Sequence, residues 1–153
     1  MLYCKPNLSQ YRKSQLAIEY AYRLRAESPH TSIFWVHASN PARFEASYRS
    51  IAAELRLPGF DDPKTNQLDL VLRWLQSESS GRWFIIVDNI DDADFAYINP
   101  SQELGRRYKV TVSEYLPQRA GSAILVTSRD RNAAFALVGE ADGLIEICLL
   151  YTF

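Results

Sequence analysis

The sequence contains few of the features that mark secreted, metal-binding or membrane proteins. Only two cysteines occur among its 153 residues, Cys4 and Cys148, near opposite ends of the chain. Two distant thiols support neither a disulfide framework nor a multi-cysteine metal site. No segment approaches the roughly 18 apolar residues of a membrane span, and the first residues include no apolar stretch long enough for a secretion signal. We therefore expect a cytoplasmic protein that does not bind a membrane.

An excess of one charge is also absent. The chain has 17 Lys and Arg against 18 Asp and Glu, a formal net charge of -1, and no long run of either sign. A balanced surface gives no long-range field that would attract nucleic acid. The aromatic residues fall within apolar strands and helical stripes, which favours a place in the core over base stacking. We expect no nucleic-acid partner.

What the sequence does contain is an alternation of helical and strand-like apolar patterns. Apolar residues at helical spacing predict helices at 13–27, at 41–55 behind a capping Asn40, from Asp62–Pro63 to about 78, and within 130–139. Short apolar runs predict strands at 32–39, 82–88, 122–129 and 143–150, with residues 1–4 as a short further candidate. Residues 89–118 are mixed and predict a short helix with a surface excursion.

Helices alternating with strands that are apolar on both faces indicate a mainly parallel sheet, because parallel neighbours need crossover helices. The predicted fold class is α/β, with three layers and helices on both sides of the sheet. In such sheets ligands bind beyond the carboxyl ends of the strands. The residues that end each strand are therefore the first candidates for a site.

One predicted strand has a carboxylate at its carboxyl end. WFIIVD ends in Asp88, which has the form of a Walker B motif and could hold Mg²⁺ directly or through water. A phosphatase of the haloacid-dehalogenase type needs a second Asp two positions on, and Ile90 stands there. An Asp that merely begins a turn after a strand is the alternative interpretation.

A second predicted strand ends in Thr127, Ser128 and Arg129, where a fixed guanidinium could contact a terminal phosphate. A solvated surface residue is the alternative interpretation of Arg129. Lys13 and Ser14 open the first long helix, as the last residues of a phosphate-binding loop do. Taken alone, this pair is also compatible with ordinary polar residues in a helix's first turn.

Four segments in this order, KSQLAIEYAYRLR, FWVHASN, GRWFIIVDNIDDAD and GSAILVTSRDR, resemble the NB-ARC domain of STAND-class P-loop NTPases. The similarity is greatest to fungal NOD-like proteins that carry tetratricopeptide repeats, and it covers roughly residues 13–147. The resemblance implies that Lys13 and Ser14 are the phosphate-loop lysine and hydroxyl, Asp88 the Walker B carboxylate and Arg129 the sensor arginine. It also implies ADP or ATP as ligand, with Mg²⁺ on Ser14 and Asp88. Proteins of this family exchange ADP for ATP to enter an oligomeric signalling state.

The chain departs from the family at two places. Asn7, Ser9, Gln10 and Arg12 precede Lys13 where the family has a glycine-rich loop. Glycines there allow positive φ, which costs other residues about 1–2 kcal/mol each, so we predict impaired nucleotide binding. Asn89 stands where many members have a second acidic residue, although Asp91 and Asp92 are close by. At most a weak P-loop ATPase is expected.

These observations predict three parts: a divergent segment at 1–12, a partial NB-ARC-like domain at 13–147 and a divergent tail at 148–153. We expect a truncated domain, arising from a gene-model error, a degenerate copy or a naturally short relative. Two functions remain open. One is a nucleotide-binding switch domain of a NOD-like receptor; the other is a degenerate fragment that serves as an interaction module or has no function. Faces left uncovered by missing subdomains predict self-association.

Overall fold

A computed structural model of the chain describes residues 2–4, 11–90, 112–130, 132–133, 137 and 145–147. The elements in chain order are β1 (Leu2–Cys4), α1 (Tyr11–Glu27), β2 (Ser32–His37), α2 (Pro41–Glu54), α3 (Gln67–Gln76), β3 (Trp83–Asp88), β4 (Ala123–Ser128) and β5 (Ile145–Ile147). Short 3-10 helices lie at Glu78–Ser80 and Val112–Tyr115.

The five strands form one sheet in the order β2-β3-β4-β1-β5, and each described pairing is parallel. The register of the two central pairings aligns the carboxyl ends. His37 at the end of β2 lies opposite Asp88 at the end of β3, and Val87 lies opposite Val126. The predicted α/β class with a parallel sheet is confirmed.

Helices cover both faces of this sheet. On one face, Ala17 of α1 packs with Phe84 and Ile86 of β3. On the other face, α2 and α3 pack against Ile85 and Val87 of the same strand. Successive residues of a strand point to opposite faces, so an unbroken apolar run is what a strand between two helical layers requires. The buried side chains that α2 and α3 contribute are Phe44, Tyr48, Ile51, Ala52, Leu68, Val71 and Leu75.

Local capping fixes where α2 begins. The side chain of Asn40 accepts a hydrogen bond of 2.9 Å from the backbone N–H of Arg43, and Pro41 occupies the first helical position. Proline suits that position because its fixed φ is helical and the missing N–H would have no helical partner. The predicted start of α2 is therefore confirmed.

The predicted start of the next helix at Asp62–Pro63 is wrong. The Asp62 side chain accepts from the backbone N–H of Lys64 at 2.8 Å, which closes a local turn instead of opening a helix. The helix α3 begins at Gln67, where Asn66 accepts from the N–H of Leu68 at 3.0 Å. Both residues have capping chemistry, and only the second is followed at once by the apolar stripe that packs on the sheet.

Several sequence predictions fall outside the described residues. These are the departures at Asn7, Ser9 and Gln10, the acidic pair after Ile90, most of the mixed segment before Val112, and parts of the last predicted helix. In the described part of the chain, α1 begins at Tyr11, two residues before the predicted start. A short first strand and a last strand are present as β1 and β5.

Tyr48 generates a prediction about stability. Its side chain is fully buried, its hydroxyl donates a hydrogen bond of 2.6 Å to the backbone oxygen of Tyr115, and burial raises the pKa of its phenol. Tyr48→Phe should lower the free energy of unfolding by about 1–3 kcal/mol, because a buried carbonyl loses its donor. Urea unfolding followed by circular dichroism measures the change. Tyr22→Phe, at a side chain 70% exposed, should change nothing, and equal stability of both variants would contradict the prediction.

Candidate functional site

The connections that follow the neighbouring strands β1 and β4 leave the sheet on opposite faces. After β1 the chain passes along one face of the sheet as α1, whereas after β4 Ala133 packs into the core on the opposite face. Neighbouring strands whose connections leave on opposite faces define the switch point of an open α/β sheet, where ligands bind. The start of α1 and the last residues of β3 and β4 meet there.

Lys13 lies in the first turn of α1 and is buried, with 5% of its surface exposed. Its Nζ donates a hydrogen bond of 2.9 Å to the backbone oxygen of Ser128, the last residue of β4. A buried ammonium is costly unless it has such acceptors. The first turn of a helix also carries the positive end of the helix dipole, so this corner of the molecule favours an anion.

Asp88, also buried at 8% exposure, accepts hydrogen bonds from two hydroxyl groups. Ser14 Oγ lies 2.9 Å from Oδ1 and 3.0 Å from Oδ2, and Thr127 Oγ1 lies 2.5 Å from Oδ1. Three elements thus meet at one carboxylate: the start of α1, the end of β3 and the end of β4. Carboxylate and hydroxyl oxygens are ligands that suit Mg²⁺.

The backbone turns sharply directly after this carboxylate. Asn89 has a φ of +69°, in the left-handed region that asparagine tolerates better than most residues. Its N–H donates to Thr127 Oγ1 at 2.9 Å, and the Ser128 hydroxyl donates to the backbone oxygen of Ile90. The end of β4 therefore holds the turn that follows β3.

A cavity of about 420 Å³ opens beside the Ser14–Asp88 pair. It lies between α1, the end of β3 and the connection from β2 to α2. The described residues that line it are Ser14, Gln15, Ile18, His37, Ser39, Arg43, Asp88 and Asn89.

Of the sequence-predicted site residues, the structure brings Lys13, Ser14, Asp88 and Asn89 to one edge of the sheet. Arg129 directly follows β4 and is exposed, and it is not among the described residues that line the cavity. The sequence contained no direct signal for Arg43 or Ser39 as site residues. The available clue was that β2 also ends in polar residues and that Asn40 and Pro41 start a helix immediately behind it.

No group of three or more His, Cys, Asp and Glu side chains that could hold a metal ion occurs among the described residues. None of the helices described is long and apolar enough to cross a membrane.

Comparison with known proteins gives one informative relative. No family model matches the chain. A protein of Hyaloscypha variabilis named nucleotide-binding leucine-rich repeat (NLR)-like protein is 34% identical to it over 128 residues. The chain is related to part of an NLR-like protein. The aligned residues are 84% of this chain and 13% of the relative, so the chain spans a small part of that protein's length.

The hydrogen bonds of the Thr127 hydroxyl lead to a prediction about stability that can be tested without a ligand. Thr127→Val keeps the shape of a side chain that is 1% exposed, but it removes a donor to Asp88 and the acceptor for Asn89 N–H. We expect the free energy of unfolding to fall by about 1–3 kcal/mol, because a buried carboxylate and a backbone N–H lose partners. Chemical unfolding without nucleotide measures this loss. Thr31→Val is the control, since that hydroxyl makes no hydrogen bond within the described residues, and equal stability of the two variants would contradict the prediction.

Proposed function

We propose that this chain is a nucleotide-binding switch domain of a NOD-like signalling protein, and that it binds ADP or ATP with Mg²⁺. The observation that carries the proposal is the contact between Ser14 and Asp88. These residues lie 74 positions apart, and their side chains meet at 2.9 Å where the first helix starts and a central strand ends. The name of the related NLR-like protein, which includes the words nucleotide-binding, supports the same function.

The residues present fit Mg²⁺. Protein Mg²⁺ sites commonly use one or two carboxylates, with water and substrate phosphate completing the octahedron. Ser14 Oγ and the Asp88 carboxylate would hold the ion, and bound Mg²⁺ would neutralise phosphate charge. Thr127 would keep the carboxylate oriented through its hydrogen bond to Oδ1.

Lys13 supplies the charge for the phosphates. Its ammonium is buried at the start of α1, beside the N–H groups of the first turn. In the proposed complex it would turn from the Ser128 carbonyl toward a phosphate oxygen, exchanging a neutral acceptor for a charged one. The hydrogen bond to the carbonyl is already charge-assisted, and an anionic acceptor adds Coulomb attraction between opposite charges. Arg129 is proposed as the sensor arginine on the strength of its position after β4.

Two features point to a switch with little hydrolysis. Asn89 lines the cavity beside Asp88, and an amide accepts no proton from an attacking water. Position 89 therefore offers no general base. The residues before Lys13 include no glycine, so we also propose that nucleotide binding is weaker than a glycine-rich loop allows.

Titration calorimetry of the purified chain with ADP and ATP, with and without Mg²⁺, tests the proposal. We expect micromolar binding, and Lys13→Ala should weaken it by about 10- to 100-fold, because a charged hydrogen bond contributes about 1.5–3 kcal/mol. Lys64→Ala, at an exposed lysine, is the matched control and should bind as the wild type does. A folded wild-type chain that binds neither nucleotide would overturn the proposed function.

A second candidate function, an interaction module, is favoured by the surface of α1. Four large apolar side chains of this helix are exposed: Leu16, Ile18, Tyr20 and Tyr22. They flank the buried stripe that includes Ala17, and exposed apolar patches commonly mark contact surfaces. We propose that this surface, the α1 patch, supports association of copies of the chain.

Sedimentation velocity over a range of concentrations tests the α1 patch. We expect the average mass of the wild-type chain to rise with concentration, and the double variant Leu16→Ser, Tyr22→Ser to stay monomeric because apolar contact area is lost. Arg25→Ser on the same helix, at an exposed polar residue, is the control and should associate normally. A wild-type chain that stays monomeric at every concentration would contradict the proposal that the α1 patch supports self-association.

A further inference from the structure

We propose that Arg43 binds the terminal phosphate of a nucleoside triphosphate in the cavity beside Asp88, and so lets the domain distinguish ATP from ADP. This inference rests on the proposed nucleotide site. It adds a residue from α2 to a site otherwise built from α1, β3 and β4.

The cavity is lined by one carboxylate and one guanidinium that do not form an ion pair with each other. Asp88 and Ser14 contribute the carboxylate and hydroxyl, and Arg43 contributes a guanidinium, yet Arg43 and Asp88 form no ion pair. A cavity that presents an anionic metal-binding group and a separate cation is complementary to a metal ion with its phosphate. Its volume of about 420 Å³ falls within the range of about 300–1,000 Å³ typical of ligand sites.

The backbone of Arg43 is fixed on both sides. Its N–H donates to the Asn40 side chain at 2.9 Å, and its carbonyl accepts from the Ser47 hydroxyl at 2.9 Å. The same hydroxyl accepts from the N–H of His37 at 3.0 Å. These bonds fasten the first turn of α2 to the end of β2.

That attachment sets the position of Arg43 relative to the predicted metal ligand. His37 lies opposite Asp88 in the parallel register, and the N–H of Ala38, directly after β2, donates to the backbone oxygen of Asp88 at 2.8 Å. The root of the Arg43 side chain is therefore held at a constant offset from the carboxylate, whereas the guanidinium itself makes no hydrogen bond or ion pair within the described residues. Phosphate recognition needs a side chain whose backbone position is fixed and whose N–H donors can turn to the ligand, and Arg43 meets both conditions.

Arginine is the suitable residue for this role. Its planar fork presents paired N–H donors that match two oxygens of one phosphate, and it stays charged at any physiological pH. A terminal phosphate linked to Mg²⁺ on Asp88 would reach into the cavity, whereas ADP has no group there. Arg43 should then contribute to the affinity for the triphosphate and not to that for ADP.

The test compares variants of α2 by calorimetry in the presence of Mg²⁺, using ADP and the non-hydrolysable β,γ-imido analogue of ATP. Arg43→Ala should weaken binding of the analogue by about 10- to 100-fold, because a charge-assisted contact is lost, and leave ADP binding unchanged. Arg43→Lys, which keeps the charge and loses the fork, should fall between. Arg49→Ala, an exposed arginine on the same helix, should bind both ligands as the wild type does.

The outcomes separate the inference from the function on which it rests. If the wild type binds ADP and Arg43→Ala leaves both affinities unchanged, or lowers them equally, Arg43 does not recognise the terminal phosphate, and the inference is wrong while the nucleotide site stands. If the wild type binds neither ligand, both are wrong. Loss of fold does not confuse the result, since removing a cation from the first turn of a helix does not weaken the helix, and thermal unfolding of each variant verifies this.

Discussion

The buried carboxylate of Asp88 is the constraint on which the arrangement of this site depends. A charge removed from water is costly unless nearby groups hydrogen-bond to it. Here Ser14 and Thr127 supply hydroxyl donors from two different elements. Satisfying one carboxylate therefore fixes the start of α1 against the ends of β3 and β4, and the turn at Asn89 follows because its N–H shares the Thr127 hydroxyl.

The parallel sheet explains why the polar and charged residues of the site lie at one edge. Every described pairing is parallel, so the polar residues that end the strands share one side of the molecule, with helices covering both faces. Lys13 places a cation at this edge, Asp88 an anion and Arg43 a second cation across the cavity. On the proposed function, the metal and the phosphates would lie between these charges.

The absence of glycine from residues 1–12 changes how such a site could work. A glycine-rich loop surrounds phosphates with backbone N–H groups, and the residues before Lys13 cannot adopt that conformation without cost. Phosphate attraction would then come mainly from Lys13, the N-terminal turn of α1 and the proposed contact with Arg43. The chain is related to a small part of a much longer NLR-like protein.

The sequence by itself determined the α/β class, the helices and strands, and the polar strand ends. Asn40 with Pro41 specified the start of α2 because capping is a local interaction. The same rule wrongly predicted a helix start at Asp62 with Pro63. Asp62 and Asn66 can both cap a helix, and α3 begins after Asn66 because the apolar stripe that packs on the sheet follows that residue. Tertiary structure alone decided that β4 lies beside β3, so that Thr127 meets Asp88, and that the first turn of α2 brings Arg43 to the same cavity. Those contacts join residues distant in sequence, and strand order, which residue spacing does not encode, determines which of them become neighbours.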